Sequence, residues 1–201
     1  MPHQILIAAE PWQYEDSDSI LNFQYSKLQI PHDSQSPYLA SGQATRMLVM
    51  RGATVAGSLD IIRPGPLALP MSHVYPAALI GLDLIGEVGR FSTDSLRPAE
   101  LVDLLTETFE RLAAMPGDVA VAGVHPSRAR FYCRSLGARI AAPSTMLPGS
   151  DVVVILLTFT REGFRQSVLG RRRTVTCPPR QNPASVEETA RPAHEAAPHN
   201  L

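Results

Sequence analysis

Cysteine and net charge are both scarce in this chain of 201 residues. The two cysteines, Cys133 and Cys177, are too few for a disulfide framework, and their spacing matches no zinc knuckle. The 18 basic and 19 acidic side chains leave a formal charge of −1, so no global field attracts nucleic acid or an anionic membrane. The six histidines lack metal-ligand spacing. We therefore expect no bound metal and no nucleic-acid partner.

Long apolar runs are missing as well. The longest one near the C-terminus, Val152–Leu157, is far shorter than the roughly 20 residues that cross a bilayer. The N-terminal run Ile5–Ala9 has no basic leader before it, which argues against a secretory signal. We expect a soluble protein with no membrane span, and the low cysteine content indicates a reducing, cytoplasmic environment.

Composition divides the chain into two parts. The hydrophobic fraction of 44% suits one compact domain, which we place at residues 1–170. From residue 171 onward the sequence is rich in arginine, proline and small polar residues. Such a stretch buries too little apolar surface to offset its ordering entropy, so we predict a disordered tail over residues 171–201.

Within the domain, strand-like and helix-like periodicities alternate, which predicts an α/β layered fold. The predicted strands are 45–50, 54–62, 79–91, 119–124 and 152–159, with a further strand after Gly137. The predicted helices follow Ser17-Asp18-Ser19, span 98–115 and span 127–136. Prolines between residues 64 and 76 predict a long surface loop, a type of segment that often carries binding groups.

Three segments stand in an informative order. They are Gly86-Glu87-Val88-Gly89-Arg90-Phe91, the strand-helix unit Val124–Arg139 and the apolar strand Val152–Thr158. Together they resemble N-acyl amino acid synthases and acyl-homoserine lactone synthases, over roughly residues 20–165. The resemblance implies a GNAT fold, with a mixed, largely antiparallel central sheet flanked by helices. It also implies transfer of an acyl group from a thioester to the amine of an amino acid or related small molecule, as in secondary metabolism.

Glu87 and Arg90 are the first candidates for chemistry. Acyl transfer to an amine needs a neutral amine, and a buried Glu87 with a raised pKa can take the ammonium proton directly or through water. Arg90 suits a substrate carboxylate, provided that a bulge turns it to the face of Glu87. The alternatives are a paired structural carboxylate for Glu87 and a strut to Glu87 for Arg90. Gly89 and Phe91 of the same run are further candidates for substrate or donor binding, and a splayed or bulged strand around Gly89 can offer backbone N–H groups to the thioester carbonyl.

The strand-helix unit supplies two further candidates. The resemblance implies that Tyr132 protonates the leaving thiolate, whereas core packing is the alternative role of such a tyrosine. His125 is a candidate base or anion contact at the helix start, with a simple turn as the alternative. Cys133 has no assignable histidine and acid partner, so we interpret it as a buried thiol.

One residue departs from the resemblance. Homoserine lactone synthases commonly have an arginine where this chain has Asp60, in Gly57-Ser58-Leu59-Asp60, and their paired aspartates are not recognisable upstream. Asp60 favours a cationic or neutral acceptor and argues against lactone synthesis. Two other functions stay open: a binding module that has lost catalysis, and an enzyme with different thioester chemistry such as cyclisation, decarboxylation or hydrolysis.

A missing sequence motif bears on the identity of the acyl donor. Residues 93–100 contain no glycine-rich loop to cradle a pyrophosphate, and Pro98 removes one N–H donor. Asp94 and Glu100 are expected to repel such an anion, while Arg97 suits a single phosphate. We therefore favour an acyl carrier protein over acyl-coenzyme A as co-substrate, held by the helix arginines 128, 130 and 134, and expect no permanently bound cofactor.

Overall fold

The computed structural model describes residues 2–30, 36–93, 95–147 and 150–171. The strands in these ranges are β1 (His3–Ile7), β2 (Ala44–Arg51), β3 (Thr54–Ile62), β4 (Leu84–Thr93), β5 (Val119–Val124), β6 (Arg139–Met146) and β7 (Val153–Thr160). The helices are α1 (Pro11–Lys27), α2 (Pro37–Ala40), α3 (Pro98–Ala114), α4 (Pro126–Leu136) and α5 (Arg161–Gln166). The predicted tail lies outside the described residues apart from Arg171.

The seven strands form one sheet in the order β1-β2-β3-β4-β5-β7-β6. Neighbouring strands are antiparallel except β4 and β5, which run parallel and are joined by α3 as a crossover helix. This arrangement confirms the predicted α/β class with a largely antiparallel sheet. β7 pairs with β5 on one side and with β6 on the other, as its continuous apolar sequence predicted.

The parallel pair β4–β5 is short. The two strands pair only at Leu84 with Val119, Gly86 with Ala120 and Glu87 with Val121. Beyond that point β4 continues to Thr93 beside β3, and β5 continues to Val124 beside β7. The strands therefore diverge after Glu87 and Val121 and leave a V-shaped opening in the sheet, which we call the splay.

The two faces of the sheet are covered differently. On one face, α3, α4 and α5 bury the main core, in which Phe109, Leu136 and Phe164 pack with strand residues such as Ile61 and Val88. On the other face lie α1, which contacts β3 and β4, and the β3–β4 loop of residues 63–83. The splay therefore lies between a layer of three helices on one face and a layer made of α1 and the β3–β4 loop on the other.

Several boundaries differ from prediction. α1 begins at Pro11, with Glu10 as N-cap and Gln13 completing a capping box, so Ser17 is a buried residue inside the helix and not its cap. β4 begins at Leu84, because Ala77–Leu79 form a 3₁₀ turn before it. β1 was not predicted, since its short apolar run lacks the alternation that marks a half-buried strand.

Other boundaries follow the sequence closely. β5 spans the predicted residues, and α4 ends where Gly137 adopts the left-handed conformation with φ of 69°. None of the described helices is both long and apolar enough to span a membrane.

Candidate active site

Glu87 lies at the vertex of the splay, in the last residue pair that joins β4 to β5. Its side chain is on the sheet face covered by α1 and the β3–β4 loop, and only 2% of the residue is exposed. The Met71 N–H donates to both carboxylate oxygens, at 3.1 and 3.0 Å, and the Tyr75 hydroxyl donates to Oε2 at 3.0 Å. Across the described residues no cation pairs with Glu87, which argues against a structural ion pair.

The environment of Glu87 favours the protonated form of its carboxyl group. Burial raises its pKa to about 7, while the hydrogen bonds from Met71 and Tyr75 act in the opposite direction. A carboxyl group with this pKa exchanges a proton near neutral pH, as general-base catalysis requires. Burial and Glu87 also raise the pKa of Tyr75, whose hydroxyl therefore stays protonated.

A buried ion cluster lies on the same sheet face as Glu87, two residues further along β4. The Arg46 guanidinium donates to Asp60 through Nε at 2.7 Å and Nη2 at 3.1 Å, and its Nη1 donates to Asp18 at 2.7 Å and to Ser17 at 2.8 Å. Burial raises the pKa of Asp60, and the hydrogen bonds from Arg46 oppose that rise without cancelling it. The resemblance leads one to expect a positive charge at position 60 of β3. In this chain Arg46 on the neighbouring strand β2 carries a positive charge there, and Asp60 is its ion-pair partner.

Arg90 completes the cluster. Its backbone has a φ of 48° at a bulge where β4 shifts register against β3, which is costly for a residue with a side chain. The bulge turns the guanidinium to the face of Glu87, with Nε 3.4 Å from Asp60 and Nη2 3.6 Å from Asp18. Both nitrogen atoms are buried and have no hydrogen-bond partner within the described ranges. Arg90 therefore faces the two aspartates and is not a strut for Glu87.

The edge of β4 that faces the splay is open around Gly89. Gly89 has no paired residue on β5, and a Cβ atom added at Gly89 would meet no atom within 4 Å, so the face of the sheet is unobstructed here as well. Phe91 packs against the helix-covered core. At the far end, the Gln24 carboxamide of α1 accepts from the Thr93 N–H at 3.2 Å and donates to the Thr93 carbonyl. Between Glu87 and Thr93, the side of β4 that faces the splay therefore has no strand partner among the described residues.

α4 carries the remaining candidates from the strand-helix unit. Tyr132 is half-buried against the helix-covered core, its ring meets that of Phe131, and burial raises its pKa. His125 is the exposed N-cap of α4, with Nδ1 accepting from the Ser127 N–H at 3.3 Å. Cys133 is half-buried and has a free thiol. His125 therefore has a clear structural role whether or not it also binds a substrate.

The start of α3 differs from the expected anion-repelling surface. Glu100 is fully buried and accepts from Arg51 through Nε at 2.8 Å and Nη2 at 2.6 Å. Arg97 also donates to Glu100, from its backbone N–H at 2.8 Å and from its Nε at 2.9 Å. These bonds hold the pKa of Glu100 far below its usual range. The expected repulsion by Glu100 was wrong, because its charge is matched internally; Asp94 lies outside the described residues.

The sequence did not single out four residues that the structure brings to this face. Met71 and Tyr75 belong to the predicted loop but are 16 and 12 residues away from Glu87 along the chain. Arg46 and Asp18 come from β2 and α1. A single charged residue in the apolar run Arg46–Met50 was the one available signal, since a buried charge requires a partner.

Comparison with known proteins decides the family. The family described as N-acyl amino acid synthase FeeM matches residues 22–160, more than half of the chain. The chain belongs to the N-acyl amino acid synthase family. It is accordingly an acyltransferase, which moves an acyl group from an acyl donor to an amine.

Solved structures show the same fold. FeeM, an N-acyl amino acid synthase from uncultured soil microbes, has a TM-score of 0.72 and 23% identity, covering 85% of this chain and 98% of FeeM. The acyl-homoserine lactone synthase LasI has a TM-score of 0.58 and 14% identity, covering 83% and 96%. An acyl-CoA N-acyltransferase from Pseudomonas aeruginosa has a TM-score of 0.55 and 10% identity, covering 79% and 99%. The fold is thus that of the GNAT N-acyltransferases.

No curated protein matches the sequence significantly. Among the described residues, no group of three or more histidine, cysteine or acidic side chains is arranged to hold a metal ion.

Proposed function

We propose that this N-acyl amino acid synthase family member transfers the acyl group of a thioester to the amine of an amino acid or related small molecule within the splay. The observation that carries the proposal is the buried Glu87 at the vertex of the splay, with a pKa of about 7 and no paired cation among the described residues. An acceptor that arrives as an ammonium ion must lose a proton before it can attack, and a carboxylate held in this way can accept that proton. The low cysteine content supports reaction in a reducing cytoplasm.

The proposed reaction needs no covalent enzyme intermediate. Glu87 takes the proton of the acceptor ammonium, directly or through water, and the neutral nitrogen attacks the thioester carbonyl. Backbone N–H groups on the open edge of β4 near Gly89 stabilise the oxyanion of the tetrahedral intermediate. The C–S bond breaks as the amide forms, Tyr132 donates a proton to the departing thiolate, and the second proton lost by the nitrogen passes through water to the Tyr132 phenolate.

Arg90 is the proposed contact for the acceptor carboxylate. A planar guanidinium binds a carboxylate through two parallel hydrogen bonds, and Nε and Nη2 of Arg90 form no hydrogen bond with a described residue, although both lie within ion-pair distance of an aspartate. Asp60 no longer argues for a cationic acceptor, because Arg46 already binds both of its oxygen atoms. The cluster as a whole, with two arginines and two aspartates, is formally neutral.

An acyl carrier protein is the proposed donor. Arg128, Arg130 and Arg134 are exposed on α4, and none of them forms an ion pair within the described part of the chain. An exposed, unpaired basic helix surface suits an acidic protein partner. His125 at the start of α4 and Arg97 at the start of α3 are the proposed contacts for the phosphate of the donor arm, alongside Phe91 for the arm itself.

The proposal is tested by incubating the purified protein with a panel of acyl carrier proteins, acyl-coenzyme A thioesters and amines, followed by unbiased mass detection. We expect a new product with the mass of an N-acyl amino acid, which requires both substrates. Donor binding without turnover would indicate a binding protein, and a product lacking the amine would indicate cyclisation, decarboxylation or hydrolysis. Either result would contradict the proposed transfer.

A further inference from the structure

Residues Leu69–Tyr75 of the β3–β4 loop form a strap across the buried side of Glu87. Among the described residues, the Met71 N–H and the Tyr75 hydroxyl are the two donors to the carboxylate, and both belong to this strap. The Met71 side chain reaches across to β5, where its Cε lies 3.1 Å from the position of a Cβ on Gly123. The strap therefore connects β4 to β5 beside the vertex of the splay and closes Glu87 off from solvent.

Within the part of the chain that the structure describes, hydrogen bonds lower the pKa of the buried Glu87, and no charged side chain contributes. The side chains opposite it on the neighbouring strands are the apolar Ile62 of β3 and Val121 of β5. Every nearby charged group either binds elsewhere or is exposed. These groups are Arg63, which donates to the Gly42 carbonyl, Arg46, Asp18, Asp60 and Arg90 in the ion cluster, and the exposed His73 and Asp83.

We propose that Tyr75 is a positioning residue that holds Glu87 in its basic, ionised form by donating a hydrogen bond to Oε2. The proposal rests on the proposed function, in which Glu87 is the base. Of the two donors in the strap, Tyr75 is the one that a side-chain substitution removes, because the other is the backbone N–H of Met71. The Tyr75 hydroxyl bonds most strongly to the carboxylate form, so it favours ionisation of Glu87 despite burial.

The proposal fixes the sign of a measurable shift. Tyr75→Phe removes one hydrogen bond to the charged form, so the pKa of Glu87 rises above its value of about 7 in the native chain. A hydrogen bond to a charged group corresponds to a shift of about one to two pH units. The acidic limb of the kcat/KM profile then moves to higher pH by the same amount, because less enzyme has an ionised base at any pH near neutral.

The test is a pH titration by NMR of protein labelled with carbon-13 at the glutamate carboxyl groups, with the Glu87 signal assigned by its absence in Glu87→Gln. Tyr38→Phe is the matched control, since the Tyr38 hydroxyl anchors the same loop at the Ala68 carbonyl, at 2.9 Å, without contacting Glu87. We expect an upward shift in Tyr75→Phe and none in Tyr38→Phe. An unchanged Glu87 pKa in folded Tyr75→Phe, or equal shifts in both variants, would overturn the proposal.

A second variant covers the case in which Tyr75→Phe does not fold. Replacing Tyr75 with 3-fluorotyrosine keeps the ring and makes the hydroxyl a moderately stronger donor that stays protonated near neutral pH, so the Glu87 pKa must fall; a rise or no change would overturn the proposal. The pH–rate profile separates this proposal from the proposed function. If the NMR pKa moves and the acidic limb does not, Tyr75 positions Glu87 as inferred, but Glu87 is not the base.

Discussion

Asp60 shows how individual residues set the electrostatics of this face. Its side chain is completely buried in the sheet, and Arg46 binds both of its oxygen atoms. Read from the sequence, Asp60 looked like a replaced cation, because strand periodicity places it inward but does not say which residue lies opposite. The register of the β2–β3 hairpin brings Arg46 directly beside it. The role of a buried charge therefore depends on its partner on the neighbouring strand, which the sequence of one strand does not reveal.

This pairing predicts a large loss of stability for Asp60→Asn. The substitution leaves two arginines with one aspartate, Asp18, in the buried cluster, and an uncompensated buried charge typically costs about 3 to 5 kcal/mol. Urea unfolding monitored by circular dichroism measures the change. Asp16→Asn on the exposed side of α1 is the control, expected within about 0.5 kcal/mol of the native chain. Equal stability of the two variants would show that the Asp60–Arg46 pair is energetically unimportant.

At the scale of elements, predictability followed the strength of local signals. α3 and α4 have proline at their first turn, and Gly137 ends α4, so these helices were predicted to within a few residues. The strap was recognisable only as a loop. Neither Met71 nor Tyr75 has a local feature that points to Glu87, since their contact arises when the loop folds back over the splay.

The end of α4 provides a prediction for this scale. Gly137 has a φ of 69°, and a Cβ added there would lie 2.1 Å from the carbonyl oxygen of Gly163. Gly52 has a similar φ of 63° in the β2–β3 turn but no atom within 4 Å of its added Cβ. Gly137→Ala should therefore be less stable than Gly52→Ala by about 1 to 3 kcal/mol, the usual cost of overpacking.

Thermal or urea unfolding of the two glycine variants measures that difference. Both substitutions have the same backbone penalty for a left-handed alanine, so the comparison isolates the close approach of α4 to the start of α5. Equal stabilities of the two variants would mean that Gly137 and Gly163 are not in close contact in solution.

For the whole molecule, the distribution of charge matters more than its sum. The net charge of −1 gives no overall field. The exposed arginines nevertheless concentrate positive charge on α4, the helix that directly follows β5 at the splay. Arg130 and Arg134 are four residues apart and so share one side of the helix. We expect this surface to matter for docking of the proposed carrier protein and not for binding of free acyl-coenzyme A.

Charge reversal tests that surface. For the double variant Arg130→Glu with Arg134→Glu, we expect kcat/KM with an acylated carrier protein to fall by about tenfold or more at low ionic strength. With the same acyl chain on coenzyme A, kcat/KM should be unchanged. Arg165→Glu, an exposed reversal on α5, is the control. Equal losses with both donors, or no loss with the carrier protein, would reject carrier-protein docking at α4.

The central claim is that Glu87 at the vertex of the splay is the base for acyl transfer, and kcat/KM of Glu87→Gln tests it most directly. The glutamine keeps the size of the side chain but cannot accept the ammonium proton, so we predict a loss on the order of 100-fold or more with little change in melting temperature. In the native chain kcat/KM should also fall as the pH drops below about 7, because the carboxylate becomes protonated. A folded Glu87→Gln variant with near-native turnover would contradict the account.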